Sequence, residues 1–435
     1  MNIRKKWNLV FVSFATLLSI LVIKSSVYSK EINENILFTD NTSYIYECEF
    51  FSYDKYTEKD IMVGEIPGSG FIVNNGVLEK YVGKDIDILI PQGVEKIGFR
   101  AFYNSNIRSV SIPGSVREIG ADAFASCNEL YKVDIKDGVE IIRGAAFSFC
   151  KSLKDIYIPD SVTKIEEGIF SDSQNLKDVR LSPNIKVIES RTFQFCKSLK
   201  EIDIPYGVET IKDYAFNGCV SLKQVTIPDT VNNICQYAFT GCTSLEYIDI
   251  PDSVVTIGSG IFDYCINLVS MKLPENIEII PSVMFQNCKS LEYVDIPNAV
   301  KSIETGVFNV CTNLKKIILP YNLENISFSA FNYCNKLETI TIPGTVKILF
   351  PASFDVCTSL YEVIIEEGVE SIGDENDYRA IFSYCPKLTK IVIPESVNRI
   401  DKRAFAKSSN LIIYGVSGSY AQQYAIEKDI PFMEI

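Results

Sequence analysis

The apolar and polar positions of this chain form a pattern that restarts every 23 residues. One cycle, Leu222 to Ser244, shows it clearly. Val225-Thr226-Ile227 alternates with period two, which predicts a half-buried strand. Pro228 follows at once, and without an N–H to donate it ends the strand. Asp229 favours a turn. Val231 and Ile234 lie three residues apart, a spacing that suits a tight helical turn or an irregular arc. Ala238 and Phe239 return the chain inward, and Cys242 and Leu245 close the coil.

Phenylalanine marks the period best. It stands at 102, 124, 147, 170, 193, 216, 239, 262, 285, 308, 331, 354, 382 and 405, in steps of 23 except for one of 22 and one of 28. One structural unit is therefore repeated about fourteen times, and the fold is a solenoid. No copy can bury its apolar side chains alone, but stacked neighbours can. The predicted fold is a leucine-rich-repeat-like solenoid of about 14 coils of 23 residues, with a parallel β-sheet on one face and a cap at each end. At about 4.8 Å per coil the stack is roughly 65–70 Å long. The strand-ending site is proline in most copies, with Lys136, Ser182 and Glu366 as replacements.

The unit Ile-Pro-x-x-Val-x-x-Ile-x-x-x-Ala-Phe-x-x-Cys-x-x-Leu resembles the BspA-like subtype of leucine-rich repeat, named for a bacterial surface protein, and the resemblance covers about residues 86–414. The tail is similar to the terminal cap that follows such arrays in secreted bacterial proteins: Leu411 to Gly415, then Gly418-Ser419-Tyr420-Ala421 and Ile430-Pro431-Phe432. The resemblance implies a secreted or surface protein of binding or adhesion type, some of whose relatives are implicated in attachment to host matrix proteins. It supplies no catalytic residues and implies no cofactor or metal.

The expected organisation is a signal peptide at 1–29, a leader and capping hairpin at 30–85, the solenoid at 86–414 and a C-terminal cap at 415–435. Arg4, Lys5 and Lys6 precede the apolar run Asn8 to Ile23, and cleavage after Ser29 fits the small residues there. Residues 30–70 lack the repeat and are rich in tyrosine and phenylalanine. Phe71 to Leu78, with Asn75-Gly76 at its centre, predicts a β-hairpin over the first coil. Ser419 to Lys428 predicts a helix between two short strands.

Charge and composition narrow the chemistry. Net charge is −13, falling to about −17 once the signal segment is removed. An acidic chain without basic clusters argues against nucleic acid or anionic membrane as the main partner. No histidine is present, which excludes Ser-His-Asp and Cys-His catalysis and the commonest transition-metal ligand. Thirteen cysteines in a secreted chain normally suggest disulfides, yet eleven occupy one repeat position, where Ser173 and Ser408 also occur. That position calls for a small side chain with weak hydrogen-bonding ability in a buried turn, so mostly free thiols are expected. Cys48 and Cys235 stand outside this column. Cys235 is expected to be the more exposed kind, and a bond between the two is conceivable.

Function is expected where copies differ. The outward strand positions are acidic, with a few aromatics, in the N-terminal half and gain aliphatics in the C-terminal half. The candidate binding face is Tyr157, Asp203, Tyr247, Asp249, Tyr293, Ile318, Ile364 and Val392, with Tyr247, Tyr293, Ile318 and Ile364 as anchors. A second candidate is the 28-residue step, whose extra residues include Asp374, Glu375, Asp377 and Tyr378, a candidate binding loop without the EF-hand spacing for calcium. The expected function is a monomeric, non-enzymatic protein binder. The alternatives are a structural component of a cell surface or matrix and a carbohydrate-binding module or hydrolase.

Overall fold

Most coils of the computed structural model begin with the expected strand, and equivalent strands pair in parallel at the repeat offset. Thus Gln224–Thr226 pairs with Glu201–Asp203, and Tyr293–Asp295 with Ser270–Lys272. The structure describes residues 69–373 and 379–435, all within one compact unit that runs from Met62 to Ile435. The expected signal segment, most of the leader, Cys48 and the loop residues Asp374, Glu375, Asp377 and Tyr378 lie outside the described residues.

The expected single sheet is a row of parallel fragments of two to five strands. The largest runs Thr339–Ile342, Glu362–Ile365, Lys390–Val392, Ile412–Gly415, Phe432–Glu434. At two of the three proline replacements the regained N–H is used: Lys136 donates to the Ile112 carbonyl and Glu366 to that of Ile342, each at 3.0 Å.

The Val-x-x-Ile segment differs from expectation. It is neither a helical turn nor an irregular arc but a second parallel ladder of two-residue strands, such as Thr210–Ile211, Asn233–Ile234 and Thr256–Ile257. Two residues per coil are too few for a period-two signature, so the pattern concealed this ladder. The hairpin Phe71–Asn74 and Val77–Tyr81 joins its N-terminal end, with Val77 and Leu78 paired to Lys96 and Ile97. Its Asn75-Gly76 turn has φ values of 50° and 78°, the left-handed pair that such a turn requires.

The third segment of each coil carries the phenylalanine. Residues two before and two after it adopt left-handed φ in most coils, as Tyr237 (56°) and Gly241 (71°) do around Phe239. This flips alternate peptides. The N–H groups of Tyr237, Phe239 and Gly241 then donate to carbonyls of Ser259, Ile261 and Asp263 in the following coil at 2.8–3.0 Å. Thr240 and Cys242 donate within their own coil, to Tyr237 and Phe239. Left-handed φ costs a non-glycine residue about 1–2 kcal/mol, and the inter-coil bonds offset it.

The phenylalanines form one continuous stack, with successive ring centroids 4.9–6.1 Å apart. Tyr81 continues it at one end, 5.3 Å from Phe102, and Tyr424 closes the other, edge-on to Phe405 at 5.9 Å. The long step does not interrupt it: Phe354 and Phe382 are 5.3 Å apart. Tyr424 lies on the helix Tyr420–Glu427, whose N-cap Ser419 accepts from the Gln422 N–H.

Beside this stack runs the cysteine column. Each of its eleven thiols is buried and free, and each donates to the phenylalanine carbonyl of the preceding coil at 3.0–3.5 Å. Ser173 and Ser408 make the same bond, at 2.8 and 3.0 Å. Cys235, outside the column, is half-buried and also free.

Candidate binding surface

Three faces are available to a partner, and their charges are arranged differently. On the second-ladder face, opposite charges meet across coils: Lys96 with Glu118 at 2.9 Å, Lys212 with Glu189 at 2.8 Å and Lys301 with Glu278 at 3.2 Å. Arg143 bridges Glu118 at 3.0 Å and Glu166 at 2.7 Å, and this arginine holds the Glu118 carboxyl below the usual carboxylate range. On the strand face the N-terminal coils do the reverse. Asp155 and Asp178 stand directly opposite one another, and Glu201 holds the equivalent place in the next coil. Like charges in register oppose pairing. This face is therefore not arranged for stability alone.

Asp155, Tyr157, Asp178, Arg180, Glu201, Asp203 and Tyr206 line a shallow depression of about 880 Å³. It brings together two of the predicted residues, Tyr157 and Asp203. Tyr157 is partly covered, because the Arg180 guanidinium sits 4.5 Å from its ring centroid and reaches Asp160 at 3.4 Å. Tyr206, 74 % exposed, was missed because it sits in the turn after Pro205, beyond the strand columns.

Tyr247, Asp249, Tyr293, Ile318, Ile364 and Val392 lie further along the stack. Ile318 and Tyr247 are the most open, at 61 % and 59 % exposed. Tyr293 is 42 % exposed, and its hydroxyl donates to Asp295 at 3.4 Å. Desolvation and the nearby Asp295 push that phenol's pKa up. Ile364 and Val392, at positions expected to face solvent, are half-buried, because each is flanked by strands on both sides. Residues 247–249 and 316–318 hold the equivalent places in their coils without regular strand pairing.

The register extends the outer row beyond the predicted residues. Thr341, Ile364, Val392, Tyr414 and Met433 stand opposite one another in successive strands. Met433 is 50 % exposed, and Lys390 lies 5.5 Å from the Tyr414 ring. Tyr414 and Met433 escaped the sequence reading because they fall in the tail, where the 23-residue spacing no longer marks the column. Among the described residues, no three Cys, Asp or Glu side chains are grouped so as to hold a metal ion. Nor is any helix among them long and apolar enough to cross a membrane.

Short parallel strands, a turn-bound phenylalanine spine and a coil repeated at constant length define a leucine-rich-repeat solenoid of about fifteen turns. The chain belongs to the family with the BspA type leucine rich repeat region, matched over residues 84–200, 186–311 and 278–412. Solved structures of bacterial leucine-rich repeat proteins are similar to it. One from Bacteroides ovatus is 24 % identical with a TM-score of 0.66, over 84 % of this chain and all of that one. A leucine rich cell surface protein from Faecalibacterium prausnitzii is 30 % identical with a TM-score of 0.48, over 86 % of this chain and 99 % of that one. The pneumococcal vaccine antigen PcpA is 20 % identical with a TM-score of 0.50, over 86 % and 96 %. No curated protein matches. Proteins of this family are generally non-enzymatic and typically found at the bacterial surface or secreted.

Proposed function

We propose that this chain is a secreted or cell-surface adhesion-type protein that binds a protein ligand through its strand face. One observation carries the reading. Tyr247 and Tyr293 in one strand column, and Ile318 and Met433 in the column beside it with Ile364 and Val392 half-buried between them, put apolar and aromatic side chains on a face that the fold does not need to leave apolar. Exposed aromatic and aliphatic side chains in one patch are the usual anchors of protein recognition. The regular spine and thiol column supply rigidity, so a partner meets a surface organised before binding. The loop residues Asp374, Glu375, Asp377 and Tyr378 remain a second proposed contact, at the one place where the period lengthens.

The test is to capture partners from culture supernatant and host matrix proteins with the mature chain, then to measure each against Ile318→Lys with Ile364→Lys. Loss of binding with an unchanged melting curve supports this face. Unchanged binding by the folded variant refutes it.

A further inference from the structure

The acidic row of the strand face has a basic row beside it. Lys154, Lys177, Lys200 and Lys223 occupy one repeat position on four successive coils, immediately before Asp155, Asp178, Glu201 and Gln224. All eight side chains are exposed. No ion pair among the described residues involves the four lysines or the three acids, whereas cross-coil ion pairs recur on the second-ladder face. Two unneutralised rows of opposite sign thus run side by side along the stack, one residue apart.

Their spacing is that of the coils, about 4.8 Å, and it is a property of this fold. A surface that matches both rows must repeat at the same distance and carry the same two signs in the opposite order. The strand face of a second copy does so. When two such faces meet about a two-fold axis parallel to the stack, the lysine row of each lies over the acidic row of the other. Lys154 then meets the partner's Asp155, Lys177 the partner's Asp178 and Lys200 the partner's Glu201. The next coil fits as well, since Tyr131 comes over the partner's Lys132, a cation–π pairing. An axis along the strands would instead stack lysine on lysine, so the charges select the parallel arrangement.

We infer that the N-terminal half of the strand face is a self-recognition surface, through which two copies of this chain pair in parallel with their solenoid axes aligned. The expected monomer is then the dilute or high-salt form of a reversible pair. The charged coils are distinct from those that bear the apolar row at Ile318 to Met433.

Sedimentation velocity of the full mature chain across a concentration series tests it. A dimer is expected whose dissociation constant rises at least about tenfold when salt is raised from roughly 50 to 500 mM, because exposed charge pairs are screened. Lys154→Glu with Lys177→Glu and Lys200→Glu, and separately Asp155→Lys with Asp178→Lys and Glu201→Lys, should each abolish the dimer. Mixed together, the two triple variants should form a heterodimer tighter than the wild-type pair. Neither charge reversal should weaken binding of a captured ligand at Ile318 and Ile364, which separates this inference from the ligand-binding face. A wild-type chain that stays monomeric at low salt overturns the proposal. So does a dimer that survives either charge reversal, or variants that fail to pair when mixed.

Discussion

A thiol at the repeat turn does two things: it fills a small apolar space and donates to the phenylalanine carbonyl of the coil before it. Ser173 and Ser408 preserve the donor and the bond. Cys242→Ser should therefore change stability little, whereas Cys242→Ala leaves the Phe216 carbonyl without that donor at a cost of about 1 kcal/mol. Burial pushes the Cys127 and Cys385 thiols up to about 12 and the fully buried members above the ordinary range. The unfolded chain loses these protons near pH 9, while the folded chain keeps them. The column's contribution is thus complete below pH 9 and declines as pH rises, by up to about 1.4 kcal/mol per thiol per pH unit. Thermal melts from pH 8 to 10.5 should show a steep fall in Tm, and a flat profile would contradict the buried column. At pH 8 a thiol reagent should modify Cys235 in the native chain and leave the eleven column thiols unreacted until denaturant is added.

The phenylalanine spine is the corresponding apolar feature. Phe239 sits between Phe216 at 5.1 Å and Phe262 at 5.9 Å and is fully buried. Phe239→Ala should cost about 3–5 kcal/mol, read from denaturant melts, and should loosen the two adjoining coils most, as hydrogen exchange would show.

Among the elements, the second ladder carries a row of cross-coil ion pairs. Arg143 between Glu118 and Glu166 is the densest instance, and Glu118 is the titrating group that reports on it. Its folded pKa lies below its unfolded value, so its contribution is complete above the ordinary glutamate range and is lost as pH falls through the depressed value. The Tm difference between wild type and Arg143→Ala should therefore be widest near neutral pH and close on acidification. The pair is partly exposed and screened, so about 1 kcal/mol or less is at stake. A difference that grows towards low pH would contradict this assignment.

The same scale shows what the sequence made legible. The first strand, the Asn75-Gly76 hairpin, the capping helix after Ser419 and the buried thiol column all follow from side-chain chemistry repeated at fixed offsets. The second ladder did not, because Asn233–Ile234 and its equivalents are stabilised by neighbours 23 residues away and carry almost no local pattern. The left-handed turns were also hidden. Residues as bulky as Phe149, Phe195 and Tyr214 hold positive φ there, which no local propensity foretells, since inter-coil N–H donors impose it. On the candidate surface, Tyr247, Tyr293 and Ile318 were legible from strand alternation, whereas Tyr206 lies in a turn beyond the strand columns and Met433 needed the register.

For the whole molecule, stacking makes stability a sum of neighbouring coils and leaves the strand face free to diverge. Its N-terminal coils carry unneutralised charge rows and its C-terminal coils an apolar row. The charged coils are the proposed site of self-pairing and the apolar coils the proposed site of ligand binding. On this proposal, ligand binding belongs to the strand face. The direct measurement is the affinity of a captured ligand for three folded proteins: wild type, Ile318→Lys with Ile364→Lys on the strand face, and Ile279→Lys with Ile348→Lys on the second-ladder face. The strand-face variant should bind at least about tenfold more weakly, a loss typical of an interface anchor, while the second-ladder variant matches wild type. Equal affinity for wild type and the strand-face variant, or loss confined to the second-ladder variant, would contradict the claim.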